Sequence, residues 1–221
     1  MNLQSQRPLA MVESVAKAPS QLGTASYLFS RRKRAVDIAL AIVGLTLAVL
    51  ALPFIWLMVK LMDRGPVFYR QERLGRYGRS FRILKFRTMT VTAEANGRAV
   101  WTQDGDPRIF PFGAVLRRTY VDELPQWWNV LKGEMSAIGP RPERPELADE
   151  IERAVPGFST RLTVKPGITG WAQVNYKYSN TYEDCGRKLG YDLQYVQNGS
   201  FKMDMLIILK TVWRVVRVRG F

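Results

Sequence analysis

Hydrophobic residues are concentrated in one long run near the amino terminus. Residues 38–59 are 22 consecutive uncharged and mostly apolar positions, with basic residues before them at 31–34 and after them at Lys60 and Arg64. A helix of this length reaches across the hydrocarbon core of a bilayer, which is roughly 30 Å thick. The run begins too far into the chain, and is too long, for a cleavable signal peptide. The pattern therefore predicts a membrane-inserted helix over residues 30–62.

Two features of this run bear on how the helix meets the bilayer. Pro53 removes an intrahelical hydrogen bond and disfavours helical dihedral angles at Leu52. Basic residues at both ends favour placing both ends on the cytoplasmic face. A re-entrant helix that breaks at Leu52 and Pro53 and returns to the same face satisfies both features. A straight single span is the alternative that the pattern leaves open.

The remaining chain, residues 63–221, is rich in turns and reads as one soluble domain. Residues 67–70 and 80–86 predict two strands, and the glycines between them indicate a hairpin. Residues 115–131 predict a mostly helical segment, and residues 144–154 predict a charged helix that begins near a proline. The predicted fold class is therefore α+β with a basic β-hairpin.

The two ends of the chain differ in character. Residues 1–29 have little apolar patterning and predict a flexible tail. Residues 201–218 predict an amphipathic helix on which Lys210, Arg214 and Arg217 share one face and apolar side chains the other. This arrangement is typical of a helix at a membrane interface, and equally of a helix that packs on a core with a solvated basic face.

The amino-acid composition limits which kinds of catalytic and metal-binding site the chain can form. The chain carries 33 Lys and Arg against 19 Asp and Glu, a net charge of +14, with no histidine and one cysteine. The absence of histidine excludes Ser-His-Asp and Cys-His nucleophilic sites and histidine-ligated metals. An enzyme of this composition would use carboxylates, and its metal would be a hard, oxygen-ligated ion such as Mg²⁺. The charge indicates a polyanionic partner, which is a nucleic acid, an anionic membrane or a phosphorylated small molecule.

The most informative acidic motif is the adjacent pair Asp122 and Glu123, which precedes Leu-Pro. On a helix, Arg118 would lie one turn before Asp122, with Arg117 close by, and such arginines keep a carboxylate ionised. Adjacent carboxylates point in different directions, so one could meet a reacting centre and the other a metal. Taken alone, the pair could also be an acidic helix start.

The basic motifs form three groups. Lys85 and Arg87 follow the arginines at 73, 76, 79 and 82, which suits contacts to phosphate. Aromatic residues interleave with these bases, so nucleic-acid binding is the rival interpretation. Residues 139–142 present Arg141 between two prolines, and residues 165–173 form a rigid turn that exposes Gln173. Each of the last two is compatible with an ordinary structural turn.

Taken in order, these pieces resemble the bacterial sugar transferase family, the monotopic phosphoglycosyl transferases. The resemblance covers about residues 31–220. The motifs that carry it are 33–37, 52–53, 65–71, 85–89, 105–108, 116–119, 122–126, 128–133, 139–142 and 165–175. The larger members carry several spanning helices at the amino terminus that this sequence lacks, so it corresponds to a small form of the family.

The resemblance implies a reaction. A phosphosugar passes from a UDP-sugar to polyprenyl (undecaprenyl) phosphate, UMP is released, and glycoconjugate or exopolysaccharide assembly begins. Asp122 would form a covalent phosphosugar intermediate, and Glu123 would help to bind Mg²⁺. Lys85, Arg87, Arg117, Arg141 and Gln173 would bind substrate.

The resemblance also implies a location and partners. The protein would lie in the bacterial inner membrane with its catalytic domain, residues 63–221, on the cytoplasmic face. Its partners would be the UDP-sugar, polyprenyl phosphate and membrane lipids, without nucleic acid. The identity of the sugar, the polymer pathway and the formation of a homodimer are left open. A membrane-tethered module that binds nucleic acid or acidic polysaccharide, and a catalytically silent scaffold, are the competing hypotheses.

Overall fold

The computed structural model describes residues 25–93, 105–176 and 181–217. Seven helices and four short strands are named here in chain order. The helices are α1 (Arg31–Met62), α2 (Pro111–Arg118), α3 (Trp127–Lys132), α4 (Pro145–Ala154), α5 (Trp171–Asn175), α6 (Tyr182–Asn198) and α7 (Phe201–Val216). The strands are β1 (Phe68–Leu74), β2 (Ser80–Phe86), β3 (Ser136–Ile138) and β4 (Gly167–Thr169).

Helix α1 is the predicted apolar helix, and it begins where Ser30 caps the amide of Lys33. By length and composition it could cross a membrane, and only 22% of its most apolar window is buried. Pro53 lies inside it, and the assigned helix continues past the proline to Met62. The large apolar side chains that α1 exposes are Ile42, Val43, Leu47, Val49, Leu50, Phe54, Trp56, Leu57 and Leu61. The mixed helix-and-sheet class is confirmed, and the re-entrant path remains a prediction.

The opposite face of α1 packs on the rest of the protein at both of its ends. Ala41 lies in a core with Ile83 and Val130. Ile55 and Val59 lie in a second core whose other buried members are Val67, Phe86, Phe110 and Leu116. Gly44 allows a close approach, because a Cβ there would lie 2.2 Å from the Cδ1 of Trp127.

A buried polar cluster fixes the start of α1. Lys33 Nζ lies 3.2 Å from a carboxylate oxygen of Asp37 and 3.0 Å from one of Asp204 on α7. Tyr27 and Tyr195 each donate a hydroxyl hydrogen bond to Asp204. Residues 25–29, which the sequence places in the tail, therefore dock on the domain. Residues 1–24 of that predicted tail lie outside the described residues.

The predicted hairpin is present, with β1 and β2 antiparallel and Tyr69 opposite Lys85. Its first strand runs to Leu74, further than the pattern predicted. A second, parallel pair joins β3 to β4. Gly139, just after β3, has no room for a side chain, because a Cβ there would lie 2.4 Å from the carbonyl oxygen of Lys165.

Residues 115–131, predicted to be mostly helical, are mostly helical, but the helix is broken at Thr119 and Tyr120. Helix α2 ends at Arg118, Tyr120 takes left-handed dihedral angles, and a 3₁₀ turn over Val121–Gln126 precedes α3. The apolar periodicity persists across the break, but Pro125 cannot donate a helical hydrogen bond. Arg118 and Asp122 are consequently not neighbours on one helix.

The carboxy-terminal helix is present, and its basic face differs from the prediction. Lys210 donates to Asn175 at 2.6 Å, and Arg214 donates to the carbonyl of Gln173 at 2.7 Å. Two of its three predicted surface cations thus hold α7 on α5. The outward face of α7 is apolar, as an interfacial helix requires, with Leu206, Leu209, Val212, Trp213 and Val216 exposed.

Candidate active site

The Asp122–Glu123 pair lies on the 3₁₀ turn between α2 and α3, and both side chains are buried. Tyr120, with φ of 59°, reverses the chain just before the turn. A bulky residue in this left-handed region is uncommon and marks a position that its surroundings enforce. The sequence analysis missed Tyr120, since nothing in the local pattern signals a left-handed tyrosine.

Glu123 is held by two cations that come from distant parts of the chain. One of its oxygens lies 2.7 Å from Lys85 Nζ on β2 and 2.7 Å from an Arg141 guanidinium nitrogen. Arg141 also donates to the second oxygen at 3.3 Å. These charge-assisted bonds join three of the residues that the sequence placed in the site.

Asp122 is placed differently from its neighbour. Within the described part of the chain, no group donates a hydrogen bond to its carboxylate. Burial raises the pKa of Asp122 from 3.8 to about 6, while the nearby positive charges of Lys85 and Arg117 oppose that rise. Asp122 is therefore an ionised, buried and unpaired carboxylate at neutral pH.

The two carboxylates have pKa values displaced in opposite directions. Although burial opposes it, the positive charges of Arg141 and Lys85 and their hydrogen bonds hold the pKa of Glu123 well below its usual range. Burial lowers the pKa of Lys85, while Glu123 counteracts that fall. Adjacent acidic groups with such separated pKa values are typical of divided roles in an active site.

Arg141 is supported from behind by a residue that the sequence analysis missed. Arg161 is buried, donates to the carbonyl oxygen of Arg141, and pairs with Asp192 on α6 at 2.7 Å. Burial raises the pKa of Asp192 to about 6, against the attraction of Arg161. A lone arginine in a charged sequence gives no local signal for this role.

The remaining predicted site residues lie in different places. Arg117 donates to the Thr88 hydroxyl at 2.8 Å, and its charge acts on Asp122. Gln173 donates to the carbonyl of Ile168, and its own carbonyl oxygen is buried without a partner. Arg87 is buried and bonds the backbone carbonyl and carboxylate of Asp63 just after α1. The structure thus shows Arg87 securing the end of α1.

The arginines of the hairpin divide into two sets. Arg79 and Arg82 are exposed. Arg73 donates to the carbonyl of Pro142, and Arg76 donates to the carbonyl of Thr163. Arg73 and Arg76 therefore join the hairpin to the loops that carry Arg141 and Lys165. The hairpin is thus not simply a basic surface exposed to solvent.

The carboxylate oxygens of Asp122 and Glu123 suit a metal site that substrate oxygens complete. No group of three or more His, Cys, Asp or Glu side chains that could hold a metal occurs within the described ranges. Mg²⁺ in phosphate-transfer sites usually takes one or two carboxylates together with substrate phosphate oxygens. Asp122 and Glu123 fit that arrangement, and they do not form a cage of protein ligands alone.

These features define a class of protein. A long helix with a large exposed apolar face is joined to a domain in which two buried carboxylates lie among Lys85, Arg117 and Arg141. Such cations bind phosphate groups, and an unpaired carboxylate is a suitable nucleophile toward phosphorus. The fold and site therefore define a protein with chemistry suited to phosphate esters and with one helix that is compatible with membrane association.

Comparison with known proteins identifies the family. Residues 28–218 match the family model described as bacterial sugar transferase, and the chain belongs to that family. It is 41% identical over 195 residues to the UDP-N-acetylgalactosamine-undecaprenyl-phosphate N-acetylgalactosaminephosphotransferase of Aeromonas hydrophila, covering 87% of this chain and 46% of the relative. It is also 41% identical over 184 residues to the UDP-glucose:undecaprenyl-phosphate glucose-1-phosphate transferase of Escherichia coli, covering 82% and 39%.

The relatives differ in length. The chain spans less than half the length of the two transferases above. It covers 93% of the exopolysaccharide production protein ExoY of Rhizobium meliloti, to which it is 36% identical over 216 residues, 91% of this chain. The first two relatives are named as sugar-phosphate transferases that act on undecaprenyl phosphate, and the third is named as an exopolysaccharide production protein.

Proposed function

We propose that this protein transfers a sugar 1-phosphate from a UDP-sugar to undecaprenyl phosphate at the cytoplasmic face of the bacterial inner membrane, releasing UMP. The observation that carries the proposal is the division within the buried pair. Glu123 is paired with Lys85 and Arg141, whereas Asp122 has no hydrogen-bond partner within the described residues. The names of the relatives supply the substrate classes.

Two displacements at one phosphorus account for the reaction. A carboxylate oxygen of Asp122 attacks the β-phosphorus of the UDP-sugar, the bond from that phosphorus to the bridging oxygen breaks, and UMP leaves. A phosphate oxygen of undecaprenyl phosphate then attacks the same phosphorus, and the Asp122 carboxylate leaves. The first step consumes the ionised Asp122 carboxylate and the second regenerates it, so neither step requires a histidine.

The cations around the pair supply most of the remaining chemistry. Lys85, Arg117 and Arg141 lie where they can neutralise the phosphates of a bound substrate. The charge of Arg117 also favours the ionised form of Asp122, which the first step needs. Glu123 would hold Mg²⁺ together with substrate oxygens, and the ion would neutralise charge on the leaving phosphate.

The contacts of α1 support the re-entrant topology. Arg34 donates to the carbonyls of Val130 and Leu131 near the start of the helix, and Lys60 donates to the carbonyl of Gly65 near its end. A straight 32-residue helix is about 48 Å long, so a span would carry its ends to opposite faces. Docking of both ends on one domain instead favours a helix whose ends share one face.

UMP release tests the proposal. The full chain in nanodiscs, given a panel of UDP-sugars, undecaprenyl phosphate and Mg²⁺, should release UMP with one or a few of the sugars. Asp122→Asn should abolish release, because an amide cannot form the acyl phosphate. Mass spectrometry of the protein incubated with donor alone should find the phosphosugar on Asp122.

A matched control separates this role from a general loss of charge. Asp149→Asn makes the same change on α4, remote from Glu123, and should leave UMP release unaltered. Turnover that persists in Asp122→Asn would exclude the covalent role. A chain that binds nucleic acid with a steep salt dependence and releases no UMP from any donor would favour the binding-module hypothesis.

A further inference from the structure

A second basic site lies at the opposite end of the hairpin from Glu123. A cavity of about 350 Å³ opens where α1 begins, and we refer to it as the α1 cavity. Five cationic side chains line it, namely Arg31, Lys33, Arg34, Arg76 and Lys165. The residues that line it include one carboxylate, Asp37. The cavity thus carries an excess of positive charge.

One oxygen of the Asp37 carboxylate is fully used by groups of the protein itself. One of its oxygens accepts hydrogen bonds from Lys33 Nζ, the Ser136 hydroxyl and the Ala137 amide. Lys33 is shared between this carboxylate and Asp204. The two carboxylates exceed the single cation of this cluster by one negative charge, and the other four cations of the cavity have no further acid among its lining residues.

Those other cations are only partly satisfied. Arg34 donates to two backbone carbonyls, and Arg76 donates to the carbonyl of Thr163. Neither contact supplies a negative charge. Within the described residues, nothing accepts a hydrogen bond from Lys165 Nζ. Burial and the neighbouring charges of Arg34 and Arg76 lower the pKa of Lys165, despite the opposing charge of Asp37.

Two of the cationic groups converge. A Cβ built on Gly133 would lie 3.5 Å from Lys165 Nζ and 3.7 Å from an Arg34 guanidinium nitrogen. The distance between these two nitrogen atoms therefore cannot exceed the sum of these two distances. An ion with several oxygen atoms could contact both, which is how phosphate groups are usually bound by lysine and arginine.

The α1 cavity lies apart from the Asp122–Glu123 pair, at the end of α1 where the helix would enter a membrane. Lys85 lies five residues beyond Ser80 along β2, a path of about 16 Å at the usual rise of a strand, and Arg76 lies on the far side of Ser80. Arg31 is the first residue of the apolar helix, and Phe29 beside it is 45% exposed. Headgroup phosphates occur at the depth where such helices enter a bilayer.

We propose that the α1 cavity is a phosphate-binding site, separate from the Asp122–Glu123 site, that takes the headgroup phosphate of a membrane phospholipid. The phosphate chemistry rests on the cations of the cavity alone. The lipid source rests in addition on the membrane placement given under the proposed function. A free phosphate ion shares the chemistry, so the experiment compares the two sources.

The experiment uses the full chain in an uncharged detergent, without UDP-sugar or undecaprenyl phosphate. Dihexanoyl phosphatidylglycerol, dihexanoylglycerol and inorganic phosphate are titrated separately, and binding is measured by calorimetry. The phosphatidylglycerol should bind, and the glycerolipid that lacks phosphate should not. Lys165→Gln should weaken binding about tenfold, as expected for loss of one charged hydrogen bond. Lys202→Gln removes the same charge from an exposed position on α7 and should leave the affinity unchanged.

Each outcome decides the proposal. Binding of phosphatidylglycerol that falls in Lys165→Gln, with weak binding of inorganic phosphate, supports the lipid source. Equal binding of both probes, with the same dependence on Lys165, supports the phosphate site and rejects the lipid source. Affinities that Lys165→Gln and Lys202→Gln leave equally unchanged overturn the proposal. No turnover is measured, so failure of the transferase hypothesis would not affect this result.

Discussion

Replacing Asp122 by asparagine should make the protein more stable. Burial raises the pKa of this carboxyl from 3.8 to about 6, which means that folding disfavours its ionised form. A displacement of about two pKa units corresponds to about 3 kcal/mol of folding free energy at neutral pH. This value is net, because the displacement already includes the attraction of Lys85 and Arg117. Asparagine keeps the shape of the side chain and removes the charge.

The pH dependence gives the sign of the effect. Because the folded state binds the Asp122 proton more tightly than the unfolded state does, the wild-type protein loses stability as the pH rises between about 4 and 6. The advantage of Asp122→Asn should be complete above pH 6 and absent below pH 4. Thermal unfolding in nanodiscs, followed by circular dichroism, measures it. For a chain of this size, about 3 kcal/mol raises the melting temperature by about 6–12 °C.

The adjacent carboxylate provides a control of opposite sign. Glu123→Gln leaves Lys85 and Arg141 without their shared anion and should cost about 3 kcal/mol. That loss should shrink as the pH falls below 4.5, the ordinary pKa of a glutamate, because the unfolded wild-type protein then takes up the Glu123 proton while the folded protein, in which this pKa is well below its usual range, does not. An Asp122→Asn variant that melts at or below the wild-type temperature at pH 7.5 would refute the reasoning.

Three further results should follow from the same contacts. UMP release should fall about tenfold per pH unit below pH 6, because protonated Asp122 is not a nucleophile; a rate that is flat to pH 5 would contradict this. Lys33→Met should lower the free energy of unfolding by about 3–5 kcal/mol, since two buried carboxylates lose their cation, and Lys132→Met at an exposed ion pair should change it by less than about 1 kcal/mol. Gly44→Ala should destabilise the protein by about 1–3 kcal/mol through a clash with Trp127, and unaltered tryptophan fluorescence and melting would argue against this close approach.

Local patterning was sufficient to predict much of the fold. The apolar run predicted α1, and alternation with intervening glycines predicted the hairpin of β1 and β2. Both signals arise from residues close in sequence. Residues 115–131 are mostly helical as predicted, but the pattern did not predict the break at Tyr120, where the apolar period continues although the helical backbone does not. A left-handed tyrosine is imposed by the surrounding structure, which no periodicity reports.

The candidate site shows the same limit. The residue types of the acidic pair were evident in the sequence, but their partners were not. Glu123 takes its cations from Lys85, 38 residues earlier, and from Arg141, 18 residues later. Arg161, which supports Arg141, lies a further 20 residues on. Such contacts depend on how the hairpin and the loops pack against each other, which motif spacing does not report. Spacing alone therefore wrongly favoured Arg118 as the neighbour of Asp122.

The geometry of the 3₁₀ turn explains why two adjacent acids can differ so strongly. Successive side chains on such a turn point about 120° apart, since it has three residues per turn. Glu123 can therefore reach Lys85 and Arg141 while Asp122 faces a direction from which, within the described residues, no donor approaches. Had the helix predicted across this region formed, the change of direction would be nearer 100° and the chain would not reverse at Tyr120. The break in the helix is thus what allows one carboxylate to be neutralised while its neighbour stays unpaired, and the proposed nucleophile depends on that difference.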